Sequence, residues 1–155
     1  MFNESYPIVP ATPDHLPEIL ALMNAGAVGA RVGKESDDPA DYADAFAAIL
    51  AAPETAIYVV LDATDGSVVA TYQLTFSLGL GFRGRPRAVV ESVHTRADMR
   101  SQGIGARMMH HAETLARAHG CCMVQLTSNS LRKDAHRFYE RLGYDQSHLG
   151  FKRML

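Results

Sequence analysis

Apolar residues recur at helical spacing at Leu16, Ile19, Leu20, Leu22 and Met23, which predicts an amphipathic helix. Thr12 and Pro13 stand in front of it as an N-cap and a first helical residue whose missing N–H costs nothing. After the loop GARVGKESDDPA, Asp38-Pro39 repeats that signal for a second helix running to about Ala51. Short apolar runs at Ile8–Pro10, Ile57–Leu61 and Val68–Phe76 read as strands, with Asp65-Gly66 as a hairpin turn between the last two. The glycine-rich LGLGFRGRP leads into another strand, Ala88–Thr95. From Gly103 to His119 the period returns to that of a helix, carried by Ile104, Met108, Ala112, Leu115 and Ala116 and stopped at Gly120. Met123–Thr127 reads as a strand, Leu131–Leu142 as a helix, and Tyr144–Leu155 as one or two closing strands. This order predicts an α/β fold with a mixed sheet.

Composition narrows the class. The chain has 155 residues, 47% of them hydrophobic and 21% charged, which suits a single globular domain spanning 1–155. A net charge of −2 offers no general attraction to nucleic acid or to an anionic membrane. No apolar run approaches a membrane span, and MFNESYPIVP lacks the basic and apolar regions of a secretory signal. Cys121 and Cys122 are the only cysteines, and as neighbours they cannot staple distant segments. A cytoplasmic location is therefore expected.

Two glycine patterns compete as candidate sites. GLGFRG, residues 79–84, has the spacing G-x-G-x-x-G, but Pro86 and a strand follow it rather than the helix a dinucleotide site needs. Arg100-x-x-Gly103-x-Gly105 has the better context, because a strand precedes it and a helix opens at the glycines. Helix N-terminal N–H groups lack intrahelical partners and lie at the positive end of the dipole. Glycines there let a phosphate approach the backbone; equally, a tight strand-to-helix turn needs glycine for its own geometry. The physics leaves both readings open. No Lys-Ser/Thr pair follows, so the run is not a Walker-type loop.

The Arg100-x-x-Gly103-x-Gly105 run resembles the signature of the GCN5-related N-acetyltransferases (GNAT). The resemblance extends through Val89–Thr95, Ala106–His119 and Val124–Thr127 to Ala135-His136-Arg137-Phe138-Tyr139-Glu140-Arg141-Leu142-Gly143-Tyr144, similar to that family's A-x-x-F-Y-x-x-x-G-F pattern. It implies a mostly antiparallel central sheet of about six to seven strands flanked by about four helices. It also implies an N-acetyltransferase using acetyl-CoA as co-substrate, acting on a small-molecule amine by direct attack in a ternary complex. Protein N-termini or lysines are the alternative acceptors, and a non-catalytic acyl-CoA sensor is the alternative class. The end of the chain, Tyr144-Asp145-Gln146-Ser147-His148 with Phe151, is similar to the ending of aminoalkylphosphonate acetyltransferases. Partners such as nucleic acid, membrane or a metal are not implied, and a homodimer is left open.

Residue by residue, the resemblance places the backbone of Val93, His94 and Thr95 against the pantetheine arm. It places Arg100, Ser101, Gln102, Gly103, Ile104, Gly105 and Ala106 around the pyrophosphate. Tyr139 matches the position that protonates the departing thiolate, with the plain alternative of an aromatic core residue. Glu91 lies where relatives carry a carboxylate that relays the ammonium proton or anchors the substrate. Strand alternation predicts one shared face for Val89, Glu91 and Val93, either buried among apolar neighbours or an edge open to solvent. Where the family carries an asparagine that contacts the cofactor, this chain has Arg132, and Asn129 is the substitute. Arg132, Lys133 and Arg137 are candidates for the cofactor's ribose phosphate or for a solvated helix face. Arg83, Arg85 and Arg87 alternate as an anion patch or as solubilising charge. His110 and His111 show no metal-ligand spacing.

Overall fold

The computed structural model describes residues 2–155. Five strands, β1 (Ile8–Pro10), β2 (Thr55–Leu61), β3 (Val68–Ser77), β4 (Arg87–Thr95) and β5 (Met123–Leu126), form one sheet in the order of the sequence. β1 to β4 pair antiparallel, and β5 joins β4 in parallel. A short helix α1 (Phe2–Ser5) precedes β1. The helices α2 (Leu16–Ala25), α3 (Ala43–Ala51), α4 (Ile104–Ala118) and α5 (Lys133–Arg141) cover the sheet.

The helix stripes divide the core in two. α2 and α3 bury Leu16, Ile19, Leu20 and Phe46 with Val59 and Val68 on one side. On the other side Ile104, Met108 and Met109 of α4 pack with Tyr72, Leu74 and Val90. β3, the middle strand, is buried on both faces, which is why its sequence shows little alternation. Met108 is fully buried, so truncating it to alanine costs about 2–5 kcal/mol.

Most boundaries fall within a few residues of the sequence reading. Asp38 caps the turn before α3 by accepting from the Ala40 N–H at 2.9 Å. Thr12 stands at the N-cap with Pro13 behind it, as expected, and its own N–H donates to the His15 ring at 3.0 Å. The 79–84 segment turns through Phe82 and Arg83, at φ 54° and 60°, and delivers the chain to β4 with no long helix after it.

The strand count is corrected from six or seven to five among the described residues. The closing strands expected after Tyr144 do not form: residues 145–155 are exposed and pair with no strand of the described residues.

Candidate functional site

β4 is regular only over its first half. It pairs with β5 from Arg87↔Met123 to Val90↔Leu126 and no further, so its Glu91–Thr95 half has an open edge on that side. On its β3 side the register jumps from Gln73↔Glu91 to Thr71↔His94, setting Ser92 and Val93 against Tyr72 alone. Ser92 takes φ 51°, a left-handed value, at this bulge. The bulge overturns the expected alternation. Val93 rejoins Val90 at the α4-side core, whereas Glu91 is exposed rather than buried. Sequence periodicity cannot find this, since the extra residue is what breaks the period.

The open half of β4 ends beside the N-terminus of α4. Gly103 caps that helix at φ 82° with no side-chain hydrogen bond, and Ser101 is left-handed at 61°. The first helical bond is donated by Arg107 to Gly103, which leaves the N–H groups of Gly103, Ile104, Gly105 and Ala106 without intrahelical acceptors. A Cβ on Gly103 would meet nothing within 4 Å, so the space ahead of these donors is clear. Successive left-handed turns and free N–H groups suit an anion. Gly105 differs, because its Cβ would stand 3.1 Å from Phe138 of α5. Arg100 donates to the Thr95 carbonyl (3.3 Å) and Gln102 to that of Asp98 (3.2 Å), fixing the connection between β4 and α4.

Three segments distant in sequence meet at His94. Its ring packs on Gly26 at the end of α2, where a Cβ would lie 2.3 Å from Nδ1. Arg132, ahead of α5, donates to the Gly26 carbonyl. Burial first, then the charges of Arg132, Arg31 and Arg100, push the His94 pKa down to about 4. Arg100 and Arg132 have no carboxylate within ion-pair distance among the described residues, while Arg31 is paired with Glu35 at 2.8 Å. Arg132 is thus a brace across the site rather than part of a solvated helix face. Sequence reasoning missed the junction; its only local signal was an arginine where a family asparagine was expected.

Tyr139 packs with Phe138 and Tyr144, its ring centroid 5.0 and 6.0 Å from theirs. Burial raises its pKa, and the positive charge of Arg132 works in the opposite sense. Its hydroxyl has no hydrogen-bond partner among the described residues. The Asn129 side-chain oxygen accepts from the Leu131 N–H at 2.9 Å, so only its amide nitrogen is left for another partner. Arg85 leaves the expected arginine patch, donating to the Gly120 and Cys121 carbonyls at 3.3 and 2.8 Å. Cys121 is buried, with its thiol pKa pushed up by that burial. On the α2–α3 side, an apolar cavity of about 120 Å³ is lined by residues that include Tyr42, Phe46, Gln73 and Ser92.

The model of the Acetyltransferase (GNAT) family matches residues 21–144. An aminoalkylphosphonate N-acetyltransferase of Salmonella typhimurium is 36% identical over 114 residues, covering 74% of this chain and 72% of that protein. The crystal structure of a protein described as a transcriptional regulator from Bacillus halodurans superposes with a TM-score of 0.89 at 33% identity, over 97% of this chain and 99% of that one. Glucosamine-6-phosphate N-acetyltransferase from Arabidopsis thaliana superposes at 0.80, over 96% of this chain and 97% of that one. At 16% identity it speaks for the fold alone.

Proposed function

Because the chain belongs to the GNAT acetyltransferase family and is an acetyl-CoA-dependent acetyltransferase, we propose that its acceptor is the primary amine of a small anionic molecule of the aminoalkylphosphonate kind. We propose further that the amine attacks directly while both substrates are bound. The observation that carries the reading is the opening of the sheet between β4 and β5 beside the free N–H groups of α4.

The residues present fit acetyl-CoA. The open edge of β4 at Val93, His94 and Thr95 offers main-chain groups to an amide-bearing arm, as an added strand would find them. The N–H groups from Gly103 to Ala106, with the neighbouring backbone of Ser101 and Gln102 and the charge of Arg100, receive the pyrophosphate. The thioester brings an already activated acyl group. The protein's remaining tasks are to hold the amine against it and to move protons. Tyr139 gives its hydroxyl proton to the departing sulfur. Burial keeps that proton in place at neutral pH, and Arg132 favours the phenolate left behind. Glu91, exposed beside the bulge, takes the proton released by the attacking ammonium, directly or through water. Asn129 contributes its amide nitrogen at the cofactor's edge.

The guanidinium groups around His94 favour an anionic acceptor, and the Salmonella relative's name agrees with that charge. The test measures thiol release from acetyl-CoA over a panel of amines. An aminoalkylphosphonate is expected to be preferred over the alkylamine of equal length by at least tenfold in kcat/KM, through KM. Arg132→Met should erase most of that preference. Equal rates for both amines would refute the anionic acceptor, and acetyl-CoA binding without thiol release from any amine would favour the sensor reading.

A further inference from the structure

Between α2, α3 and the sheet lies the cavity of about 120 Å³. α2 contributes Leu20 and Met23 to its wall, α3 Ala45 and Ile49, and the sheet Gln73 and Ser92; no charged residue lines it. The hydroxyls of its other lining residues are engaged elsewhere. Tyr42 donates to Glu35 at 2.7 Å and accepts from the Ser36 N–H at 2.8 Å. Thr71 donates to the Tyr58 carbonyl at 2.9 Å, and the Tyr72 hydroxyl is bonded to the His111 ring at 2.6 Å. Gln73 and Ser92 are the lining residues whose side-chain polar groups have no partner among the described residues. An apolar space of this order, near the roughly 150 Å³ that holds a benzene ring, stays dry when empty and accepts a hydrocarbon.

Both of these residues lie at the bulge. Gln73 pairs with Glu91 where the register jumps, and Ser92 belongs to the jump itself. With the thioester along the open half of β4, its acyl group comes to this point of the strand. The charge of the lining decides which substrate group can enter. A short aminoalkylphosphonate is charged at both ends, and burying either end without a partner is costly. The guanidinium charges lie instead around His94, beside Gly26, whereas the cavity is bordered by Met23, about one turn earlier in α2. The acyl chain of a thioester ends in an uncharged methyl group.

We propose that the cavity is an acyl-chain pocket, so that the enzyme also transfers straight-chain acyl groups longer than acetyl from their CoA thioesters. The proposal rests on the placing of acetyl-CoA along β4 and not on the identity of the amine. At roughly 30 Å³ for a water-sized group the space takes about four carbons, which with the two of acetyl make a hexanoyl chain. The chemistry is that of acetyl transfer. The amine nitrogen bonds to the thioester carbonyl carbon and the carbon–sulfur bond breaks. Of the two protons the ammonium gives up, one ends on the CoA thiol and the other in solvent.

Calorimetric titration with CoA thioesters tests the pocket without any acceptor. Affinity is expected to rise by about threefold per added methylene from acetyl- to hexanoyl-CoA, and to fall again at decanoyl-CoA. Ala45→Leu keeps a good helix former in α3 and adds bulk to the cavity wall, so it should bring the hexanoyl-to-acetyl affinity ratio close to one. That ratio compares two ligands on one protein and does not depend on the folded fraction. Ile49→Ala should move the optimum to octanoyl-CoA or beyond. Acetyl-CoA bound as tightly as hexanoyl-CoA by the wild type would overturn the pocket and leave the acetyl-CoA site standing, whereas failure to bind any thioester would overturn both. Thiol release with amines of increasing chain length is the second arm. If Ala45→Leu alters the preference among amines but not that among thioesters, the cavity holds the acceptor and the proposal falls.

Discussion

A Cβ placed on Gly105 would stand 3.1 Å from the Cζ of Phe138, so the second glycine of the R-x-x-G-x-G run is where α5 rests on α4. Gly103, two residues earlier, has open space before it and a φ of 82°. The two glycines thus serve different ends. Gly105→Val should overpack the α4–α5 contact at a cost of about 1–3 kcal/mol and lower the Tm by several degrees. Adding Phe138→Leu should recover part of that loss. Gly103→Ala carries a backbone cost of about 1–2 kcal/mol and puts its methyl group where a phosphate would approach. It should weaken CoA binding more than Gly105→Val does once both are corrected for the folded fraction. Thermal melts and calorimetric titration read the two effects apart, and an unchanged Tm for Gly105→Val would reject the packing role.

That pair also marks how far the sequence could be read. The apolar stripes of α2 and α4 and the run of β3 locate the sheet and its helices, because burial imposes their period on the residues themselves. The glycines of α4 announce a special turn but not which of two reasons requires each. The bulge at Ser92 was not legible, since positive φ at a serine leaves no compositional trace. Neither was the contact of Arg132 with Gly26, made between segments more than a hundred residues apart. The strand pattern at 145–155 was legible as pattern, yet the structure forms no strand there.

Tyr139→Phe keeps the ring that packs with Phe138 and Tyr144 and removes only the hydroxyl. With the proton donor gone, kcat should fall by roughly 10²–10⁴-fold, while CoA affinity and Tm change little. Steady-state kinetics beside a CoA titration decides this. A variant with wild-type kcat would assign Tyr139 to packing alone.

Glu91 is exposed on the bulged strand, so Glu91→Gln leaves the core untouched. An amine acceptor with a lysine-like pKa of about 10.4 arrives protonated near neutrality and must lose a proton before it attacks. If Glu91 accepts that proton, the glutamine variant should be slow near pH 7 and recover as the pH approaches the acceptor's own pKa. If it holds the ammonium group instead, KM should rise with no such recovery. Superimposable kcat and kcat/KM profiles for the two proteins would exclude both roles.

His94 makes the fold itself sensitive to acid. Its ring lies against Gly26, and burial together with Arg132, Arg31 and Arg100 lowers its pKa from 6.5 to about 4. Between these values the unfolded chain binds a proton that the folded chain refuses, so stability must fall as the pH drops through that window. Above about pH 6.5 the ring is neutral in both states and exacts nothing. Below about pH 4 both states are protonated and the loss is complete, amounting to at most about 3 kcal/mol for a shift of this size. His94→Gln removes the titration but keeps a polar side chain at the junction. Urea midpoints measured from pH 7.5 to 4.5 should decline more steeply for the wild type than for this variant, because every other titrating group is common to both. Parallel declines would mean that the ring takes up its proton alike in the folded and unfolded chains, and that neither burial nor the arginines set its charge.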